Sequence, residues 1–87
     1  MTGRRWPPWW SWELRLSGHV LRRMVERDFN EADLRAMLDA ATGYRKDVVE
    51  GRWVIETRHQ RRPWEVVVEP DLSATVLIVV TAYAVWE

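Results

Sequence analysis

Residues 75–85 constrain the fold more than any other part of the chain, because both faces of this alternating segment are apolar. A strand of this kind has to be shielded on both sides, so we expect it in the middle of a sheet. Its faces still differ in polarity: Val76, Ile78 and Val80 lie on one, and Thr81 and Tyr83 lie on the other. We expect helices to cover the purely aliphatic face and to leave the hydroxyl-bearing face partly open.

Two amphipathic helices are predicted after a short, weakly alternating first strand at residues 13–16. Ser17 is the expected N-cap of the first helix, which runs to about Arg27. Asn30 is the expected N-cap of the second helix, and Gly43 is its expected end.

All of the chain after Gly43 is predicted to form strands. They lie at residues 44–50, 52–59, 64–69 and 75–85, with turns at residues 50–51, 60–63 and 70–73. The element order β-α-α-β-β-β-β predicts the α+β class. We expect two N-terminal helices packed on one face of a four- to five-stranded, mainly antiparallel sheet.

The start of the chain has an unusual composition, since four of its seven tryptophans lie in residues 6–12 beside two prolines. These indoles either fold back to enlarge a small core or form an exposed patch that docks a partner protein or a second copy, giving a homodimer. We treat residues 1–12 as a Trp/Pro-rich segment and residues 13–87 as one domain. The absence of cysteine and of a long apolar run makes the cytoplasm the simplest location and excludes thiolate metal sites.

The formal net charge is zero, from 13 basic and 13 acidic residues, whereas nucleic-acid-binding domains normally carry a positive excess. Any basic surface must therefore be local. Twelve of the 13 basic residues are arginines, which suit bidentate contacts to phosphate. Genome composition or adaptation to heat explains the same bias equally well.

The first helix carries the main candidate site. His19, Arg23 and Arg27 are spaced four residues apart, so their side chains stack along one side of the helix. His19 could act as a general base or acid on RNA, and Arg23 could balance the charge that develops on the phosphate. The alternative is a solvated helix flank with a structural histidine.

A second cationic cluster, the arginine-rich turn, contains Arg58, His59, Arg61 and Arg62. It could bind RNA phosphates, with His59 as a second acid or base, or it could be a solvated turn. Tyr83 could stack on a base or contact a phosphate, although aromatic residues are also ordinary strand formers. The two histidines lie far apart and no Gly-rich phosphate loop is present, so no metal or cofactor is expected.

Residues 17–34, S-G-H-V-L-R-R-M-V-E-R-D-F-N-E-A-D-L, resemble the opening helices of a small-domain family of unassigned function that is allied with the BrnT and RelE type toxins of bacterial toxin–antitoxin systems. The family pattern is His-x-x-x-Arg-Met-x-x-Arg followed by an aliphatic residue. Its positions are matched by His19, Arg23, Met24 and Arg27, with Phe29 in the aliphatic place. Residues 51–56 and 79–83 are similar to the family's hairpin and last strand.

The resemblance, which spans roughly residues 13–85, implies a RelE-like fold and metal-independent cleavage of RNA, often on ribosomes, by a toxin with a small antitoxin partner. The implied catalytic residues are His19, Arg23, Arg58 and Thr81, and the implied RNA-binding residues are Arg27, His59, Arg61, Arg62 and Tyr83. The alternative is a non-catalytic protein-interaction or RNA-binding module of the same fold. Arginines gathered with His19 on one surface would favour nucleic acid, whereas arginines paired with carboxylates would favour the interaction module.

Overall fold

A five-stranded mixed sheet with two helices on one face makes up the protein, in a computed structural model that describes residues 6–85. The elements in chain order are a 3-10 helix (Pro8–Ser11), β1 (Glu13–Leu16), α1 (Gly18–Arg27), α2 (Glu31–Asp39), β2 (Gly43–Lys46), β3 (Trp53–His59), β4 (Arg62–Asp71) and β5 (Val76–Ala84). The strand order is β1-β5-β4-β3-β2, with β1 parallel to β5 and the other pairs antiparallel. The α+β class is confirmed, but the helices follow β1 rather than open the chain.

Both predicted helix starts are confirmed by their capping bonds. The Ser17 hydroxyl accepts a hydrogen bond from the backbone N–H of Val20 at 3.0 Å. Asn30 and Asp33 form a reciprocal capping box in which both bonds measure 2.9 Å. Gly43 does not end α2 but begins β2, because the chain has already joined the sheet at the preceding residue.

The central place of β5 is confirmed, and a β-bulge interrupts its pairing with β4. Val67 pairs with Thr81 but Val68 pairs with Val79, so Val80 is an extra residue. Such a bulge turns two successive side chains toward the same side of the sheet. The alternation of faces along β5 therefore changes phase at Val80.

Because of this change of phase, the predicted helix-facing side is wrong before the bulge, whereas Thr81 and Tyr83, after it, lie on the uncovered side as predicted. The fully buried side chains beneath the helices are Leu77, Val79 and Ala82. The expectation that the helices cover Val76, Ile78 and Val80 is wrong, since these three are only partly buried. Thr81 and Tyr83, which flank Ala82, lie on the side of the sheet away from the helices, which we call the second face.

The bounds of the turns differ from the predicted ones, chiefly because of the length of β4. It extends through Pro70 and Asp71, which pair with β5, and β2 ends at Lys46 rather than at residue 50. Proline is tolerated at position 70 because the pairing of β3 with β4 ends at Val68. The N–H that Pro70 lacks therefore costs no hydrogen bond to β3.

The tryptophan-rich segment is tied to α2. Trp9 is buried in the core, and the indole N–H of Trp10 donates to the Leu38 carbonyl at 3.2 Å. The guanidinium of Arg35 donates to the carbonyls of Trp10 and Trp12 at 3.0 and 2.7 Å. For residues 6–12 the indoles thus enlarge the core; residues 1–5 of the predicted segment lie outside the described residues. Neither helix of the described part has the length and apolarity that a membrane crossing requires.

Candidate functional site

The start of α1 is fastened to the centre of the sheet by Ser17. Its hydroxyl donates to the Val80 carbonyl at 2.8 Å, and its backbone N–H donates to the Val79 carbonyl at 3.1 Å. His19 lies in the first turn that these bonds hold, and its side chain is exposed. Within residues 6–85 it makes no hydrogen bond, ion pair or ring contact, so its imidazole is available to a ligand.

Arg23, one turn after His19, has a half-buried guanidinium. Its side chain is 27% exposed, and its Nη1 lies 4.0 Å from the Glu26 carboxylate, the limit of an ion pair. Its Nε is buried and has no hydrogen-bond partner among the described residues. Arg27, a further turn along, is exposed and forms no ion pair in the same region. The helical rise places it about 12 Å from His19 along the axis.

The arginine-rich turn lies at the same end of the sheet as the C-terminus of α1. The rings of Phe29 and His59 both meet Trp64 edge-on, at centroid distances of 5.4 and 5.3 Å. Since Phe29 follows α1 and His59 ends β3, Trp64 joins the helix end to the hairpin. Arg27 and the turn therefore share one end of the molecule.

The backbone of this turn is unusual for its sequence. Gln60 and Arg61 have φ values of 53° and 67°, so both central residues are left-handed, as in a type I′ hairpin. Asn and Gly are favoured at such positions, and other residues are strained there. Arg58 donates from Nη2 to the Arg61 carbonyl at 3.0 Å and so supports the turn.

Charge is separated along the strands, although the net charge is zero. Residues 57–63, around the turn, hold three arginines and no carboxylate, whereas residues 47–52 and 69–75, at the opposite end, hold four carboxylates and one arginine. We call the end of the sheet that holds the arginine-rich turn the basic end. Beside it lie two carboxylates, those of Asp28, just after α1, and Glu31, at the start of α2. The basic surface is therefore confined to the hairpin and the flank of α1.

The second face of the sheet carries a polar row that sequence reasoning missed. Glu56, Glu65 and Tyr83 pair in register across β3, β4 and β5. Arg45 bridges the two carboxylates, at 2.6 Å to Glu56 and 3.2 Å to Glu65. Alternation along each strand places Glu56 opposite in face to Ile55 and Glu65 opposite in face to Val66, but only the register shows that the two carboxylates are neighbours.

Two predicted site residues, Tyr83 and Thr81, lie on this second face. The Tyr83 phenol donates to Glu65 Oε1 at 2.7 Å. Burial, with a smaller contribution from Glu65, raises the pKa of Tyr83 to about 12. The Thr81 hydroxyl is buried and has no hydrogen-bond partner among residues 6–85. Neither hydroxyl is therefore available to an RNA strand, since that of Tyr83 is already hydrogen-bonded and that of Thr81 is buried.

The predicted catalytic residues are thus distributed over three places. His19 and Arg23 lie on α1, Arg58 lies beside the turn, and Thr81 lies on the second face. In the described part of the chain, no hydrogen bond or ion pair joins any two of these four. Of the predicted RNA-binding residues, the basic end holds Arg27, His59, Arg61 and Arg62, and Tyr83 is separate from them.

A family model described as Domain of unknown function (DUF4258) matches residues 16–84. The matched range includes His19, Arg23 and the whole β3–β4 hairpin, and it leaves out the tryptophan-rich segment. No curated protein and no solved structure shows a match to the chain. Because the family match spans both helices and four complete strands, the chain belongs to the DUF4258 family.

Proposed function

We propose that the protein is a metal-independent endoribonuclease that binds an RNA strand along the exposed flank of α1 and cleaves it beside His19. The observation that carries the proposal is the exposed, unpartnered imidazole of His19, one helical turn from the Arg23 guanidinium. The resemblance of this helix to a small-domain family allied with the BrnT and RelE type toxins favours the same activity. It further supports the role of toxin in a toxin–antitoxin pair, with a small antitoxin as partner.

Cleavage by this site needs no metal. The His19 imidazole takes the proton from a ribose 2′-hydroxyl, and the 2′-oxygen attacks the adjacent phosphorus. Arg23 balances the additional negative charge of the phosphorane. The bond to the 5′-oxygen then breaks, and that oxygen takes a proton from the imidazolium or from water. The products are a 2′,3′-cyclic phosphate and a free 5′-hydroxyl.

The arginine-rich turn supplies the affinity. A strand that enters at Arg61 and runs along α1 passes Arg27 and Arg23 before it reaches His19. Arg27 and Arg61 are exposed and form no ion pair within residues 6–85, so they can bind a phosphate without displacing a carboxylate. The four carboxylates at the other end of the sheet disfavour binding there.

A non-catalytic RNA-binding module is the second candidate function. It is favoured by the distribution of the predicted catalytic groups, since Arg58 and Thr81 lie away from His19. Within residues 6–85 no second acid or base contacts the His19 imidazole. The two candidates share the same basic surface and differ only in whether the bound RNA is cut.

Purified protein incubated with a fluorescently labelled single-stranded RNA in EDTA tests both candidates. We expect cleavage to fragments with 2′,3′-cyclic phosphate ends. His19→Ala should slow cleavage by about 100-fold or more while leaving RNA affinity nearly unchanged. Arg23→Ala should lower both cleavage and affinity. Arg15→Ala is the matched control, because Arg15 is exposed, makes no ion pair in the described region and lies on β1 rather than on α1.

The outcomes separate the candidates. RNA that is bound but stays intact supports the non-catalytic module, and cleavage that survives His19→Ala contradicts the assigned role of the imidazole. Protein that neither binds nor cleaves RNA contradicts both. Growth arrest on expression in bacteria, abolished by His19→Ala in a folded protein, would support the toxin role.

A further inference from the structure

The end of the sheet opposite the arginine-rich turn contains an apolar pocket that the proposed ribonuclease does not use. Its walls are Trp9, Gly51, Trp53, Pro70 and Leu72, and its volume is about 220 Å³. An apolar cavity of about 150 Å³ is enough to hold benzene, so this pocket has room for one large aliphatic or aromatic side chain.

Exposed aliphatic side chains occur in the two loops that contribute to this pocket. Leu72 is 76% exposed, and Val48 and Val49, in the neighbouring β2–β3 loop, are 98% and 45% exposed. Single exposed apolar residues are ordinary on protein surfaces, but three of them beside an apolar pocket form a patch. Such patches typically mark sites where a partner protein binds.

The charge around the pocket indicates which partner fits. Residues 47–52 and 69–75 together hold four carboxylates, and their single arginine, Arg52, already pairs with Glu69 at 3.1 Å. Glu50 and Asp71 directly adjoin the pocket residues Gly51 and Leu72 in sequence. Among residues 6–85, Lys46 is the one other cation that adjoins these loops in sequence, so carboxylates outnumber cations there by four to two. An acidic rim repels RNA and attracts basic side chains.

We propose that this pocket binds a peptide segment of a partner protein, which inserts one large apolar side chain and carries lysine or arginine on both sides of it. The apolar side chain fills the pocket beside the Trp9 and Trp53 rings, which contact each other at a centroid distance of 5.9 Å. The flanking cations face Glu50 and Asp71. Gly51, whose φ of 89° favours glycine, leaves open space at its wall of the pocket, since a Cβ built there would meet nothing within 4 Å. The proposal does not depend on RNA binding, because it uses the other end of the sheet.

The test titrates the capped peptide Lys-Lys-Leu-Lys-Lys into isotopically labelled protein and follows the nitrogen–proton correlation spectrum. We expect shifts of the backbone amides of Gly51 and Leu72 and of the Trp53 indole. A peptide with Ala in place of Leu should bind about tenfold more weakly, because less apolar surface is buried. A peptide with Glu in place of Lys should not bind.

Two protein variants complete the test. Leu72→Ser should weaken binding of the leucine peptide about tenfold without unfolding the protein, because Leu72 is mostly exposed. Val25→Ser, at an equally exposed aliphatic residue on α1, should have no effect. Shifts that map elsewhere, equal binding of the acidic peptide, or no binding at all would overturn the proposal. Self-association that Leu72→Ser abolishes would overturn it too, since the occupant would then be a second copy.

Discussion

The Tyr83 phenol donates a hydrogen bond to Glu65 Oε1 at 2.7 Å, and the two residues face each other across β5 and β4. Burial of the phenol, together with this carboxylate, raises the pKa of Tyr83 from 10.0 to about 12. The folded state therefore binds the phenolic proton more tightly than the unfolded state does. This hydrogen bond links β5 to β4 only while Tyr83 is protonated.

This difference predicts a loss of stability at high pH. Because the folded-state pKa of Tyr83 is raised, its contribution is fully present below pH 10 and is lost as the pH rises toward about 12. In Tyr83→Phe, the free energy of unfolding should depend less on pH within that window. Denaturant unfolding at several pH values measures this difference. Phenolate absorbance in a Tyr44→Phe background, which leaves Tyr83 as the only tyrosine, checks the pKa itself; titration near 10 would contradict the assignment.

The bridge from Arg45 to Glu56 and Glu65 predicts a moderate, salt-dependent contribution to stability. Removing the guanidinium leaves two carboxylates directly opposite each other on neighbouring strands, which is unfavourable. Because Arg45 is half exposed, we expect Arg45→Ala to lower the free energy of unfolding by only about 1 kcal/mol. The loss should become smaller in about 1 M salt.

Arg15→Ala is the control for this prediction, because Arg15 lies on the other edge strand, is exposed and forms no ion pair within residues 6–85. Adding Glu56→Gln to Arg45→Ala should restore part of the stability, since it removes one of the two opposed charges. If the double variant is less stable than Arg45→Ala, repulsion between the carboxylates is not the cause.

Arg35 holds the tryptophan-rich segment on α2 through two carbonyl oxygens, those of Trp10 and Trp12. Hydrogen bonds from charged donors are stronger than neutral ones, so Arg35→Ala should destabilise the protein by about 2 kcal/mol. Arg22→Ala, on α1, should change stability by less than about 0.5 kcal/mol. Thermal unfolding measures both, and a red shift of tryptophan emission should accompany only the first.

The left-handed backbone conformation of Arg61 predicts that its replacement by glycine has opposite effects on stability and on RNA binding. Arg61→Gly relieves a strained backbone, so we expect it to stabilise the protein by about 1 kcal/mol. In the same variant RNA should bind more weakly for every sequence, and the dependence of log affinity on log salt should decrease by about 1.

Thr75→Gly is the matched control for this variant. Its φ of 58° is close to that of Arg61, but it lies in the β4–β5 turn at the acidic end. It should stabilise the protein similarly and leave RNA affinity unchanged. Equal RNA affinity of wild type and Arg61→Gly would remove the turn from the proposed interface.

Local signals predicted the helix starts and the central strand, but not the features that depend on pairing. Ser17 and Asn30 cap their helices through bonds within four residues, so the sequence alone specifies them. The bulge at Val80 depends on how β4 and β5 align, so strict alternation placed Thr81 and Tyr83 correctly but assigned Val76 and Ile78 to the wrong side of β5. Gly43 resembles a helix stop in sequence, but pairing with β3 makes it a strand residue.

The candidate site was predictable in the same uneven way. Helical spacing alone places His19, Arg23 and Arg27 on successive turns. The position of Arg58 and Thr81 relative to them depends on the crossing of α1 over the sheet, which no local pattern encodes. The pocket beside Trp9 combines a 3-10 helix with two strand ends and two loops, so it too emerges only from the assembled fold.

The insertion of β5 between β1 and β4 has a consequence for protein synthesis. The ribosome completes β5 after every other strand, yet β1 has no hydrogen-bonded neighbour until β5 arrives. In the nascent chain, β1 and the first turn of α1 therefore lack their sheet partner until β5 has left the exit tunnel. His19, which the bonds from Ser17 to Val79 and Val80 hold in place, acquires its final position only at that moment.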